Sequence, residues 1–116
     1  MIAYDTDFAA LYDVFYGEKP YDDETAFVGR TLKELGAQPP GRLLDVACGT
    51  GQHAVRFAKA GWTVVGVDQS AAMLAAAMQR SIGLPLTCCG IQLGSLQPAG
   101  HVLLVDLEEF GKPLVG

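Results

Sequence analysis

The apolar residues of the N-terminal stretch recur at helical spacing. One stripe with the i, i+3, i+4, i+7 pattern predicts a helix from Asp5 to Tyr16 that stops at Gly17. A second stripe predicts a helix that opens at Asp22 and Asp23 and ends at Gly36. The apolar positions are Phe8, Leu11, Tyr12 and Phe15 in the first stripe and Val28, Leu32 and Leu35 in the second.

After Gly36 the pattern changes to short apolar runs that alternate with helical stretches. Leu43, Leu44 and Val46 form a run that predicts a strand buried on both faces, and a helix over 52–60 follows it. A β-branched run over 64–67 predicts the next strand, after which a helix over 71–80 is expected. Strands that alternate with helices in this way indicate an α/β fold with a parallel sheet.

Between the first strand and its helix lies a glycine turn. Ala47, Gly49 and Gly51 alternate along it, so the backbone can adopt conformations closed to larger side chains and a ligand can approach the main chain. A strand, a glycine turn and a helix form the nucleotide-binding corner of a doubly wound sheet, with the ligand at the carboxyl ends of the strands.

Spacing alone leaves two classes of ligand open, dinucleotides and cationic ligands without a phosphate. Gly49 to Ala54 also fits the dinucleotide pattern G-x-G-x-x-G/A. Asp45 favours the other class, since a carboxylate ahead of the glycines would repel a pyrophosphate and attract an ammonium or sulfonium group. S-adenosylmethionine carries both cations and no phosphate. Asp68 ends the next strand, where an acidic residue is the expected acceptor for ribose hydroxyls.

The segment Asp45-Val46-Ala47-Cys48-Gly49-Thr50-Gly51 resembles the first motif of class I S-adenosylmethionine-dependent methyltransferases. The resemblance implies a Rossmann-like, doubly wound, mostly parallel sheet with N-terminal helices. It also implies donor binding by the motif, with Asp68 on the ribose and Gln69 near the adenine. The donor-binding candidates within the motif are Asp45, Ala47, Cys48, Gly49, Thr50 and Gly51.

Two tyrosines of the first predicted helix extend the resemblance. Tyr12 and Tyr16 resemble a pattern upstream of the first motif in small-molecule N- and O-methyltransferases. In that family an aromatic hydroxyl at this place can contact the donor or orient the acceptor. The alternative is that Tyr12 belongs to the core and Tyr16 is a surface aromatic, since aromatic stripes usually serve packing.

Agreement with the family decreases beyond Arg80, so the fold is expected to be incomplete. The third and fourth strands of the family are not legible, although one short strand is predicted over 86–89. Leu96 to Gly100, followed by an apolar strand ending at Asp106, resembles the family's fifth-strand turn and strand at too short a spacing. We expect one domain over 1–116, with a helical cap (1–40), a donor-binding core (41–80) and a shortened C-terminal part (81–116).

Composition and charge restrict the classes of partner that the chain is expected to bind. The chain has 116 residues, a net charge of −5 and no cluster of Lys or Arg, which disfavours nucleic acid or an anionic membrane and favours a small-molecule acceptor. Its N-terminus lacks the features of a signal peptide, and no apolar run approaches the ~20 residues of a bilayer span, so a cytoplasmic location is expected. Cys48, Cys88 and Cys89 lack metal-ligand spacing and are expected to be free thiols, with no metal site.

These observations predict an S-adenosylmethionine-dependent methyltransferase that acts on a small-molecule amine or hydroxyl. No catalytic base is assigned, because an amine acceptor often needs none and the protein contributes mainly alignment of the two reactants. The alternatives are a non-catalytic S-adenosylmethionine-binding fragment and an NAD(P)-dependent oxidoreductase domain. Missing strands would leave the sheet with unpaired edges and would expose the apolar faces of 64–67 and 102–105. A homodimer that covers these surfaces is therefore predicted. His53 is expected to face solvent, with a place in the lining of the ligand cleft as the alternative, and Trp62 is expected to lie in the core.

Overall fold

The computed structural model describes residues 6–16, 19–91 and 102–106. Four helices and four strands follow one another in these ranges, and their order confirms the alternation expected from the sequence. The helices are α1 (Thr6–Tyr16), α2 (Tyr21–Glu34), α3 (Gln52–Lys59) and α4 (Ala71–Arg80), and the strands are β1 (Gly41–Val46), β2 (Trp62–Asp68), β3 (Leu86–Gly90) and β4 (Val102–Asp106).

The four strands form one sheet in the order β3-β2-β1-β4. β1 pairs with β2 and β2 pairs with β3, both in parallel, and Leu43, Val64 and Leu86 lie side by side in this register. β4 pairs with β1 in the antiparallel direction. The Rossmann-like, mostly parallel sheet predicted from the sequence is therefore confirmed.

One face of the sheet is covered by helices and contains the core. Leu43, Val64 and Leu86 are each at most 8% exposed and pack against the apolar side of α3 and against Trp62. Val28 and Leu32 of α2 pack on the same cluster. α4 lies on this face too, since a Cβ atom at Gly90 would lie 3.7 Å from Leu74 Cδ1. We call this side the helix-covered face.

The opposite side, which we call the second face, carries the alternate residues of the same strands. Leu44, Val65 and Thr87 are neighbours there, as are Val46, Val67 and Cys89. Leu44 and Val46 are half-buried, Val67 is buried at 8% exposure, Val65 is 38% exposed, and Thr87 and Cys89 are exposed. In the described part of the chain, the helices pack on the helix-covered face or on one another.

The short strand predicted over 86–89 is confirmed, whereas the expectation that 64–67 is left unpaired at an edge is wrong. A third strand is present: β3 extends the sheet beyond β2, and its bounds agree with the short strand predicted over 86–89. The run 64–67 is therefore an inner strand and not a bare edge. β4 joins antiparallel, because residues 91–101 are too few for the crossover of about a dozen or more residues that a parallel connection needs. The turn predicted over 96–100 lies outside the described residues.

The stripes of the N-terminal helices are also less buried than predicted. Leu11, Phe15 and Leu35 are all more than half exposed, whereas Val28 and Leu32 are partly buried as expected. Leu35 forms the C-terminal cap of α2 and so lies beyond the last turn that faces the core. Amphipathic spacing therefore locates these helices correctly but overstates how much apolar surface they bury.

Candidate functional site

The glycine turn between β1 and α3 adopts the backbone conformation that its small residues predict. Ala47, Gly49 and Gly51 have φ values of 63°, 58° and 84°, all in the left-handed region. Such values strain residues with a Cβ, by roughly 1–2 kcal/mol, so Ala47 carries a conformational cost that its glycine neighbours avoid. Gly51 forms the N-terminal cap of α3 without a side-chain hydrogen bond.

Asp68, at the end of β2, braces this turn from the neighbouring strand. Its Oδ2 accepts a hydrogen bond from the Gly49 N–H at 2.8 Å, and its Oδ1 accepts one from the Ser70 N–H at 2.9 Å. Ser70 then caps α4, because its Oγ accepts from the Met73 N–H. Asp68 therefore holds two consecutive strand–helix turns together, and the exposed Gln69 lies between Asp68 and Ser70 in the chain.

The two motif glycines differ in what surrounds them. A Cβ atom at Gly51 would lie 3.0 Å from Ala77 Cβ and 3.2 Å from Ala77 Cα, so packing against α4 requires a glycine there. A Cβ atom at Gly49 would meet no atom within 4 Å. The space beside Gly49 is open next to a main chain in the left-handed conformation, and these features fit the close approach of a cofactor.

Asp45 and Cys48 lie beneath the turn. Asp45 is fully buried on the helix-covered face, and the Cys48 sulfur packs against the Gly66 backbone. Burial raises the pKa of the Cys48 thiol well above its usual range, and the Asp45 and Asp68 carboxylates raise it further. Cys48 is therefore a packed neutral thiol. Direct contact between Asp45 and a donor stays a prediction.

The N-terminal helix α1 is attached to the glycine turn through side chains. Thr50 Oγ1 donates to Asp13 Oδ1 at 2.7 Å, and Arg80 Nη2 donates to Asp13 Oδ2 at 2.5 Å. Tyr12 and Tyr16 lie on the same helix with ring centroids 4.6 Å apart, the first half-buried and the second about half exposed. The structure thus brings the helix with both tyrosines to the predicted donor-binding motif.

His53, in the first turn of α3, does not face solvent as expected. Its side chain is 16% exposed, its Nε2 lies 2.9 Å from Glu24 Oε1, and its ring packs edge-on against the buried Tyr21. The hydrogen bond to His53 lowers the pKa of Glu24, with a smaller contribution from Lys19. The expectation that His53 faces solvent is wrong because its side chain contacts α2, which is distant in sequence. Trp62 lies in the core, as predicted.

A separate concave region of about 560 Å³ lies beside this histidine, between α2 and α3. Its lining includes Glu24, Phe27, His53 and Phe57 and none of the donor-binding candidates. No three His, Cys, Asp or Glu side chains group into a metal site within residues 6–16, 19–91 and 102–106. Among the helices of these ranges, none has the length and apolar character needed to cross a bilayer.

Sequence reasoning missed Asp13 and Arg80. Arg80 is the basic residue in the last turn of α4, where a cation is favoured by the helix dipole, and nothing in the periodicity links it to a residue 67 positions away. Asp13 follows Tyr12 directly, so its place beside a candidate aromatic was the available signal.

The glycine-turn corner matches known proteins. Residues 43–100, half of the chain, match a family described as a methyltransferase domain. A protein of Geobacillus sp. (strain WCH70), named as a methyltransferase, is 50% identical over 74 residues. The aligned part is 64% of this chain but 30% of that relative, so the chain spans less than a third of the relative's length.

A solved structure and a second relative differ in what their names say they act on. CalS10, an amino pentose methyltransferase from Micromonospora echinaspora with bound S-adenosylmethionine, is 33% identical with a TM-score of 0.61, covering 77% of this chain and 37% of its own. The 23S rRNA (uracil(1939)-C(5))-methyltransferase RlmD of Cupriavidus necator is 41% identical over 51 residues, which are 44% of this chain and 12% of that relative.

Proposed function

The chain belongs to the class I S-adenosylmethionine-dependent methyltransferases, and on that premise we propose that it binds the methyl donor at the glycine turn. The open space beside Gly49, whose N–H is bound by Asp68, is the observation that carries the proposal. S-adenosylmethionine supplies a methyl group activated by a sulfonium. The protein binds and aligns it.

Each candidate residue has a proposed part in binding. Asp68 accepts the ribose hydroxyls, because each carboxylate oxygen can accept about two hydrogen bonds and the turn amides use one on each. Gln69 lies toward the adenine, and the main chain from Ala47 to Gly51 borders the donor. Asp45 contributes negative charge beneath the turn. Tyr12 and Tyr16 close the site from α1.

For the acceptor we propose a small molecule with an amine or hydroxyl group. The amino sugar named for the structural neighbour CalS10 supports an amine, and the net charge of −5 disfavours a polyanion. RNA is the rival acceptor, because two relatives are named for ribosomal RNA. Binding of a small amine to the chain saturated with S-adenosylhomocysteine, unaffected by added ribosomal RNA, would distinguish the two classes.

Calorimetry with S-adenosylhomocysteine and with NADH tests the donor proposal. We expect saturable 1:1 binding of S-adenosylhomocysteine and no heat from NADH. Gly49→Val should abolish the binding and leave the far-ultraviolet circular dichroism unchanged, because its side chain would occupy the open space. Tighter binding of NADH would instead support the NAD(P)-dependent oxidoreductase alternative.

We further propose that the short chain has little or no methyl-transfer activity as a monomer and that it self-associates. The half-exposed second face and the edge strands β3 and β4 offer surfaces for a second copy. Light scattering that reports a monodisperse monomer, together with multiple-turnover methylation, would refute this and with it the non-catalytic fragment alternative. The cytoplasmic location and the division into 1–40, 41–80 and 81–116 stay predictions.

A further inference from the structure

Within residues 9–16, whose side chains the structure describes, the N-terminal helix α1 buries little apolar surface. Ala9 is buried at 4% exposure, whereas Val14 and Phe15 are more than 70% exposed and Leu11 is half exposed. Burial of apolar area is the main non-directional force that holds one element on another, at roughly 25 cal/mol per Å². Because Leu11, Val14 and Phe15 are exposed, the apolar contacts of residues 9–16 contribute little to holding α1 in place, and polar contacts become important.

Asp13 provides that attachment through both of its carboxylate oxygens. One accepts from the Thr50 hydroxyl at 2.7 Å and the other from Arg80 Nη2 at 2.5 Å. Arg80 also donates through Nε to the Thr50 main-chain carbonyl at 3.0 Å. These three hydrogen bonds close a ring between α1, the glycine turn and the end of α4, which we call the Asp13–Arg80–Thr50 clamp.

We propose that Asp13 and Arg80 are positioning residues that fasten α1 over the glycine turn and thereby set the lifetime of the bound methyl donor. The inference rests on the proposed donor binding. Neither residue needs to touch the donor, because each acts through Thr50 and through the helix that carries Tyr12.

The place of Thr50 explains why the clamp affects the site. Thr50 lies between Gly49 and Gly51, whose left-handed conformations leave the turn few steric constraints of its own. The clamp holds Thr50 by its hydroxyl and by its carbonyl, so it fixes the orientation of the peptide in the turn. Release of α1 must break bonds to charged groups, which are stronger than bonds between neutral groups.

The clamp is also placed to respond to salt. Asp13 and Arg80 retain about a quarter and a third of their side-chain exposure, so ions can screen the pair only in part. A partly buried ion pair weakens less with ionic strength than an exposed one. The lifetime of the bound donor should therefore shorten moderately as salt increases, and this dependence should disappear when Asp13 is neutral.

Surface plasmon resonance with S-adenosylhomocysteine over the immobilised full chain tests the inference. Asp13→Asn and Arg80→Gln should each raise the dissociation rate constant about tenfold, the scale of one lost hydrogen bond to a charged group, and change the association rate constant little. Arg80→Lys should give an intermediate value, because a lysine cannot reach Asp13 and the Thr50 carbonyl with two fixed donors.

Arg56→Gln is the matched control. Arg56 is also an arginine on a helix surface, and it donates to Asp22 at 2.6 Å and to the Gln52 carbonyl at 2.8 Å, but it joins α2 to α3 and has no described contact with Thr50. Its substitution should leave the dissociation rate constant at the wild-type value. A general loss of folded protein would lower the binding capacity of every variant and would leave the dissociation rate constant of the remaining folded protein unchanged.

Hydrogen exchange without ligand supplies the second readout. Asp13→Asn and Arg80→Gln should accelerate exchange of the amides over 9–16 and leave those of α3 unchanged. Wild-type dissociation rates in both variants would overturn the inference while the proposed function stands. Failure of the wild-type chain to bind S-adenosylhomocysteine would overturn both, and unchanged exchange in α1 would show that the clamp does not fasten the helix.

Discussion

The two faces of the sheet are built from alternate residues of the same strands and differ in almost every other respect. Leu43 and Val64 on the helix-covered face are at most 2% exposed, whereas their chain neighbours Leu44 and Val65 on the second face are partly exposed. Sheets of parallel strands are normally covered on both faces. In the described residues, the sheet of this methyltransferase fold is therefore packed against helices on the helix-covered face, and its second face is the less buried one.

The candidate site belongs to the helix-covered face and to the carboxyl ends of its strands. Asp45 and Cys48 lie beneath the turn on this face, Gly51 packs against α4, and Asp68 links the turn to β2. No hydrogen bond described for the turn comes from a side chain of the second face. Donor binding should therefore tolerate changes on the second face that would disrupt the covered one.

Truncation of two adjacent leucines should give the largest contrast. Leu43→Ala should lower the free energy of unfolding by roughly 2–5 kcal/mol, because it opens a cavity in the packed core. Leu44→Ala should cost about 1 kcal/mol, since a half-buried side chain has less apolar area to lose. Urea denaturation measures both. Equal losses would mean that the second face is packed as well as the first.

Alanine at the two motif glycines separates packing from ligand approach. Gly51→Ala should lower the free energy of unfolding by roughly 2–4 kcal/mol, because strain at a positive φ adds to the contact with Ala77. Gly49→Ala should cost only about 1–2 kcal/mol, for backbone strain alone. Thermal denaturation compares them, and calorimetry should show weaker S-adenosylhomocysteine binding by Gly49→Ala. Full affinity there would mean that the open space is not used by the donor.

Asp68→Ala should affect stability and binding together. It removes the acceptor for the Gly49 and Ser70 amides, which loosens both turns, and it removes the proposed ribose contact. We expect donor affinity to fall by roughly 1.5–3 kcal/mol, the scale of a hydrogen bond to a charged group. Asp22→Ala, which removes an exposed carboxylate on α2, is the control for a general effect of charge. Unchanged affinity would place the ribose elsewhere.

The alkylation rates of two thiols test the same difference between the two faces without any substitution. Cys89 lies exposed on the second face, whereas Cys48 is buried with a pKa raised by burial and by two carboxylates. Iodoacetamide should modify Cys89 at least roughly tenfold faster than Cys48 at pH 8, because the thiolate is the reactive form. Mass spectrometry of the peptides measures the two rates. Comparable rates would indicate that the covered face opens readily.

The sequence predicts features that depend on residues close together in the chain better than features that depend on residues far apart. The strands, the helices and the left-handed turn depend on residues close in sequence, and all were predicted. The pairing of β4 with β1, the burial of His53 against α2 and the Asp13–Arg80 pair depend on residues far apart in the chain. Composition and periodicity carry little information about such pairs.

Nuclear magnetic resonance of the ¹⁵N-labelled chain tests the central claim most directly, by locating S-adenosylhomocysteine from the amides it perturbs. We predict shifts at Gly49, Thr50 and Gly51 and at Asp68 and Gln69, with Thr87 and Cys89 of the second face unchanged. Shifts confined to Phe27, His53 and Phe57 would place the ligand in the cavity between α2 and α3 and would contradict donor binding at the glycine turn.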